Sequence, residues 1–176
     1  MDNRSKCQKR ATILWLSMLV VLVNLMGCSY PQVLAEPYDP NGKSLNSAYS
    51  ESDPHVAGRY LVFASDRGFS QDIYLYDLVE RRLIDLPGLN ALDMIASHPD
   101  VSVDGRYIAF AGNRQGETDI YLYDRSLRQL RNITRGLNTQ VQHPMLNADG
   151  SRIVFEANAK GQWDIFVYNR LGERIE

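Results

Sequence analysis

The sequence predicts an all-β fold made of three copies of one four-stranded antiparallel unit, and two observations carry that prediction. Gly58-Arg59-Tyr60-Leu61-Val62-Phe63 recurs as Gly105-Arg106-Tyr107-Ile108-Ala109-Phe110 and again as Gly150-Ser151-Arg152-Ile153-Val154-Phe155, 47 and then 45 residues further on. A second block, Asp72-Ile73-Tyr74-Leu75-Tyr76-Asp77, returns as Asp119-Ile120-Tyr121-Leu122-Tyr123-Asp124 and as Asp164-Ile165-Phe166-Val167-Tyr168-Asn169, always 14 residues after the glycine. Self-similarity at a period of about 20–50 residues marks a repeat architecture.

Each unit reads as a string of short strands. An extended piece after Pro99 (Asp100 to Val103) meets a turn at Asp104-Gly105, and the piece after Pro144 meets one at Asp149-Gly150. Asp-Gly suits the positive dihedral angles of tight turns, because glycine has no side chain to clash. The Gly-Arg-Tyr strand comes next, then a loop holding Gly68, Gly116 or Gly161, then the Asp-Ile-Tyr strand. An outer strand follows around Leu83–Leu86 or Leu130–Ile133. In the first unit Pro54 stands four residues before Gly58, against six for Pro99 and Gly105, which predicts a shortened inner strand. The Asp-Ile-Tyr strands do not alternate apolar with polar residues, so both of their faces need cover. A propeller provides it, since each blade is sandwiched between two others.

His98-Pro99, Asp104-Gly105-Arg106-Tyr107-Ile108-Ala109-Phe110, Asp119-Ile120-Tyr121 and a strand ending at Thr134 together resemble the propeller repeat of the TolB family. The resemblance covers roughly 52–176. It implies three four-stranded antiparallel propeller blades of the TolB-like or WD type, half of a six-bladed ring, with limits near 54–90, 91–137 and 138–176. It also implies a periplasmic setting and an association with the Tol–Pal envelope system.

Three blades do not close a ring, which takes about 4–8. Repeat arrays normally end in units with a polar outer face, yet the middle strands of the first and third units are as apolar as those of the second. The third unit's outer strand would occupy 174–179, and the sequence stops at Glu176. Both end blades are therefore expected to expose apolar faces, which mark interfaces. The expected partner is a second copy, blade three of each packing on blade one of the other, or another protein that completes the ring.

The beginning of the chain reads as an address. Arg4, Lys6, Lys9 and Arg10 stand against Asp2, and an apolar run from Ala11 to Gly27 follows, interrupted by Thr12, Ser17 and Asn24. A positive head before a short apolar stretch is the pattern of a secretory signal, here 1–27. Leu25-Met26-Gly27-Cys28 resembles the bacterial lipobox, which implies acylation of Cys28 and a lipid anchor on the periplasmic side of the envelope. Val33-Leu34-Ala35 offers a second cleavage site, giving a soluble periplasmic form. An uncleaved anchor is the third reading, although spanning takes about 20 apolar residues. Residues 28–53, rich in Pro, Ser and Asn, read as a flexible tether.

Composition and motifs narrow the chemistry. A net charge of −2 supplies no basic field for nucleic acid. Two cysteines make neither a disulfide scaffold nor a zinc-type pair. There is no Gly-x-Ser-x-Gly elbow, phosphate-cradling glycine loop or His-Glu-x-x-His, so no catalytic residue and no cofactor is expected. His55, His98 and His143 sit at the entrances to inner strands, which line a propeller channel. They are candidates for a channel or ligand site and could converge on a metal. The simpler reading makes His98 and His143 repeat features bonded to a neighbouring blade, with His55 out of phase. Asp72, Asp119 and Asp164 begin equivalent strands and read as caps on the preceding loops. Trp163, Phe69 and the tyrosines could form a recognition surface where they face a channel mouth, and read mostly as blade core. Asn132-Ile133-Thr134 matches a glycosylation motif but falls on an expected strand. The function these features imply is a non-enzymatic envelope lipoprotein, a protein-binding scaffold linked to Tol–Pal or to a peptidoglycan-associated lipoprotein. The alternative is a periplasmic sensor holding a small molecule or sugar in the channel.

Overall fold

The computed structural model describes Asp39 and residues 43–176. The signal segment, Cys28, Ala35 and most of the tether lie outside the described residues. Among the described residues no helix is long and apolar enough to cross a membrane.

Among the described residues, eleven strands form three antiparallel sheets. The first holds β1 (Glu51–Ala57), β2 (Tyr60–Ser65), β3 (Asp72–Asp77) and β4 (Arg82–Ile84) in that order. The second holds β5 (Ile95–Val101), β6 (Tyr107–Arg114), β7 (Glu117–Asp124) and β8 (Gln129–Asn132). The third has β9 (Val141–Leu146), β10 (Arg152–Ala157) and β11 (Asp164–Asn169). Beyond β11 the chain turns back, with a bridge between Tyr168 and Arg174 and an Ile175 N–H donating to Val167 O at 2.8 Å. These residues begin the outer strand that the repeat calls for.

The sheets pack face to face, and the middle strands explain why. Ile108, Phe110, Tyr121 and Tyr123 of the second sheet bury against Val62, Ala64, Ile73 and Leu75 of the first. Ala109, Ala111, Ile120 and Leu122 point the opposite way and bury against Ile153, Phe155, Phe166 and Tyr168 of the third. Each junction thus joins an aliphatic face to an aromatic-rich one. Burial of this kind contributes about 25 cal/mol per Å² of apolar surface.

The turns lock the stack. Gly105 has a φ of +67°, and a Cβ there would lie 2.5 Å from the Tyr60 ring of the preceding sheet. Gly150 repeats this at +67° against Tyr107, at 2.7 Å. Arg170 of the third sheet then stacks 4.4 Å from the Tyr107 centroid and donates to its hydroxyl at 2.7 Å. Arg125 likewise covers Tyr60, at 5.4 Å.

Within a sheet, Arg59 pairs with Asp77 and Arg106 with Asp124. Each carboxylate also caps the turn that follows: Asp77 accepts from the N–H groups of Val79 and Glu80, and Asp124 from those of Ser126 and Leu127. The Arg59 hydrogen bond holds the Asp77 pKa down to about 2, and Arg106 holds Asp124 below the usual carboxylate range.

Three expectations need correction. The inner strand of the first sheet is not shortened: β1 and β5 both have seven residues. The two missing residues come from the turn, since Ala57 pairs directly with Tyr60 whereas Val101 and Ile108 enclose a longer loop. The strand also begins at Glu51, inside the stretch read as tether. Phe69 and Trp163 are not core: Phe69 stands fully in solvent on the β2–β3 loop and Trp163 is half exposed on the β10–β11 loop. Third, the two end sheets are not equally bare. The middle of the first sheet's outer face is covered, with Phe63 at 2% exposure, while Val56 on the same face stays 54% exposed. Arg67 lies 5.2 Å from the Phe63 centroid and 4.9 Å from that of Tyr74. Its guanidinium donates to the carbonyls of Ser44 and Leu45 and to Glu51, pinning the incoming chain as a lid.

Two predictions follow from the turns. Gly105→Ala combines a left-handed backbone with a ring clash, whereas Gly116→Ala (φ +89°) meets nothing within 4 Å. The first should cost about 3 kcal/mol and the second about 1 kcal/mol in urea unfolding. A carboxylate with a depressed folded pKa contributes stability above its unfolded pKa and loses it as pH falls through the folded value. The melting temperature should therefore drop between about pH 4 and about pH 2, where Asp77 titrates. Asp77→Asn should lower stability at pH 7 and flatten that decline.

Candidate functional site

The inner strands place three equivalent residue pairs around one open cleft: Asp53-Pro54, His98-Pro99 and His143-Pro144. In each strand a bulge falls at this step, with the register shifting between Ser52 and His55, between Ser97 and Asp100, and opposite Val154 to Glu156. The residue before each proline has positive φ, 50° at Asp53, 48° at His98 and 50° at His143. Side chains other than glycine seldom adopt this conformation, and a bulge that recurs at one place re-aims side chains there. Asp53 supports the neighbouring step by accepting the His98 backbone N–H at 2.9 Å.

The cleft has a volume of about 250 Å³, and His55, Asp100 and Met145 complete its lining. All three candidate histidines therefore meet here. They do so in unequal roles. The His98 and His143 rings touch edge to face with centroids 4.5 Å apart. His98 Nδ1 lies 3.1 Å from Ser97 Oγ, and His143 Nδ1 lies 3.4 Å from Glu156 Oε2. Glu156 is held below the usual carboxylate range, first by the hydrogen bond from Gln142 and then by that from His143. His55 is out of phase because it occupies the place of Asp100 in the next strand: His55 pairs with Val62 and Asp100 with the equivalent Ala109.

That displacement creates the contact the repeat pattern could not show. His55 Nδ1 bonds Asp100, a carboxylate at 3% exposure. Asp100 also accepts the backbone N–H of Val101 at 2.6 Å and of Leu146 at 2.5 Å. One buried side chain thus joins all three sheets at the cleft floor. Sequence reasoning passed over Asp100, whose only signal was an aspartate directly after the repeated proline. Among the described residues, no group of three or more His, Cys, Asp or Glu side chains is placed to hold a metal ion.

The three repeated aspartates do different things, and only Asp72 and Asp164 begin their strands, Asp119 being third in β7. Asp119 accepts from Asn132 and from Thr134 Oγ, both at 2.7 Å, and so ties the middle strand to the outer one. Asp72 takes a bond from Ser70, and Asp164 one from Gln162. Burial pushes Asp72 above its ordinary value. Thr134 is buried, and the Asn132 amide is spent on Asp119, so the Asn-Ile-Thr motif serves the sheet.

The arrangement of the three sheets resembles part of known propellers. TolB from Acinetobacter baumannii superposes with a TM-score of 0.58 at 22% identity, over 74% of this chain and 32% of that one. A putative TolB from Agrobacterium tumefaciens gives 0.57 at 23% identity, over 72% and 46%. The β-propeller domain of the Trilobed protease from Pyrococcus furiosus gives 0.53 at 17% identity, over 73% and 42%. The chain spans less than half the length of each. No protein-family model matches the sequence, and no curated protein matches it. These likenesses establish a propeller-type arrangement of three antiparallel sheets, distantly related to TolB and to other propeller proteins.

Removing the Asp100 carboxylate leaves the buried N–H of Val101, the half-buried N–H of Leu146 and the His55 ring without their acceptor. Asp100→Ala should cost about 2–3 kcal/mol, read as a lower urea midpoint.

Proposed function

We propose that the chain is a non-enzymatic scaffold of the bacterial envelope that holds a segment of another protein in the inner-strand cleft. The observation that carries this is the convergence of three strained residue–proline steps on one concavity, with the three imidazoles, Pro54 and Met145 presented to solvent and Pro99, Pro144 and Asp100 buried behind them. Strain of this kind, over-determined by its surroundings, is typical of ligand clamps. Rigid polar groups fix orientation, while Pro54 and Met145 supply apolar contact. Likeness to two TolB structures supports a binding role over a catalytic one. The lipobox-like ending at Cys28 supports attachment to the periplasmic face of a membrane, with the segment after it setting the reach. Tol–Pal components and a peptidoglycan-associated lipoprotein are the partners to test first. The cleft is also of a size to admit a small ligand, which keeps a sensor of small molecules or sugars as the second reading.

The test uses His98→Ala/His143→Ala beside the wild type. Purified Tol–Pal components and peptidoglycan-associated lipoprotein should be retained by the wild type and at least tenfold less by the double variant at unchanged melting temperature. Equal retention by both would refute the cleft as the binding surface. A rise in melting temperature with sugars, lost in the double variant and without any protein retained, would establish the sensor instead.

A further inference from the structure

The bare outer face of the third sheet points to a second copy of this chain, docked on the same face about a two-fold axis. This goes beyond the cleft reading and does not depend on it.

The observation is a comparison between equivalent positions. Ile73 and Ile120 are fully buried at 0% exposure, each beneath the next sheet, while Ile165 is 62% exposed. Val154 and Val167 share its face, since Val154 pairs with Val167 and Glu156 with Ile165, while Ile153, Phe155 and Ala157 turn inward. An uncovered apolar face of this kind marks an interface.

The structure also selects the geometry. The joints between sheets use a tyrosine on one side and an arginine after the Asp-Ile-Tyr strand on the other, as with Tyr107 and Arg170. A ring that places the third sheet on a first sheet would need the same pair. Both halves are missing: Arg152 stands where Tyr60 and Tyr107 stand, and Leu78 where Arg125 and Arg170 stand. The first sheet is lidded as well, through Arg67. With the middle of one end covered at Phe63 and the other end open at Ile165, identical copies form a finite assembly by joining open end to open end.

The charges on the open face are complementary to themselves under that operation. Along β10 the outward residues are Arg152, Val154 and Glu156. A two-fold axis in the plane between the sheets, perpendicular to the strands and passing beside Val154, sets Arg152 of one copy over Glu156 of the other, twice. Val154 then meets Val154, and Val167 meets Val167. Strands of six residues, at about 3.4 Å rise and about 4.8 Å spacing, make a small face. The dimer is therefore reversible rather than permanent.

The experiment exploits the symmetry, because a residue on a two-fold axis faces itself. The full chain with Cys7→Ser and Cys28→Ser is kept in mild detergent and given Val154→Cys as its single thiol. Under mild oxidation it should form disulfide-linked dimer at least tenfold faster than the same chain with Val79→Cys, an exposed position on the β3–β4 turn. Adding Ile165→Lys should bring the rate down to that of the Val79 control. If Val154→Cys fails to fold, sedimentation answers the same question: Arg152→Glu should weaken the dimer at least tenfold, and Arg152→Glu/Glu156→Arg should restore it. Cross-linking no faster than the control, a monomer at every concentration, or a charge swap without rescue would each overturn the proposal.

Discussion

The ring of Tyr107 lies between Arg106 of its own sheet and Arg170 of the next, and Gly150 packs against it. Much of the architecture depends on this joint. A side chain at Gly150 would hold the third sheet away from the second, and the apolar faces beneath would lose contact. The same joint at Tyr60, Gly105 and Arg125 holds the second sheet on the first. Glycine serves two ends at once here: it permits the positive φ of the turn and removes the atom that would strike the ring. Sheet spacing is thus set by a turn residue rather than by the core alone.

Because the joints fix the sheets, the inner strands can carry strain. Residues ahead of proline rarely turn left-handed, yet three equivalent ones do so beside the cleft. Each bulge is held by ladder bonds to its one neighbouring strand, before and after the step, and by Asp53 and Asp100. Asp100 is the more consequential of the two. It accepts from one residue in each sheet, so the shape of the cleft floor is coupled to the stacking of the sheets around it. Charge-assisted bonds to a buried carboxylate are among the stronger polar contacts a protein makes.

The strand order and the stacking were legible because they rest on what recurs. The Gly-Arg-Tyr and Asp-Ile-Tyr blocks carry both the hydrogen-bond register and the two apolar faces. What could not be read lies where the repeats stop being equivalent. His55 bonds Asp100 only because the first unit has aspartate at the pre-proline position and histidine two residues later. Asp119 finds Asn132 and Thr134, while the first unit uses Asn90 against the backbone of Ile73. Phe69 and Trp163 are aromatic, but they sit in loops with no neighbouring sheet to cover them. The lid escaped notice for a related reason: Arg67 belongs to a loop outside both blocks, and its acceptors are backbone carbonyls that no pattern of side chains announces.

Departures from a repeat carry information when they fall on contacts the repeat elsewhere requires. Arg152 and Glu156 replace a tyrosine and an alanine that are buried in the second sheet, as Tyr107 and Ala111 show at 5% and 3% exposure. Arg152 could not sit under a stacked sheet of the usual kind without an opposite charge to meet it, since an unpaired buried charge is far costlier than a lost apolar contact, and Glu156 is already engaged by Gln142 and His143. The replacements came as one cation and one anion, flanking a valine. A face meant only for solvent would not retain Ile165, Val154 and Val167, and a face meant for another blade would not carry these charges. The combination suits a surface covered by something other than the next blade, with charges arranged in mirror order to its own.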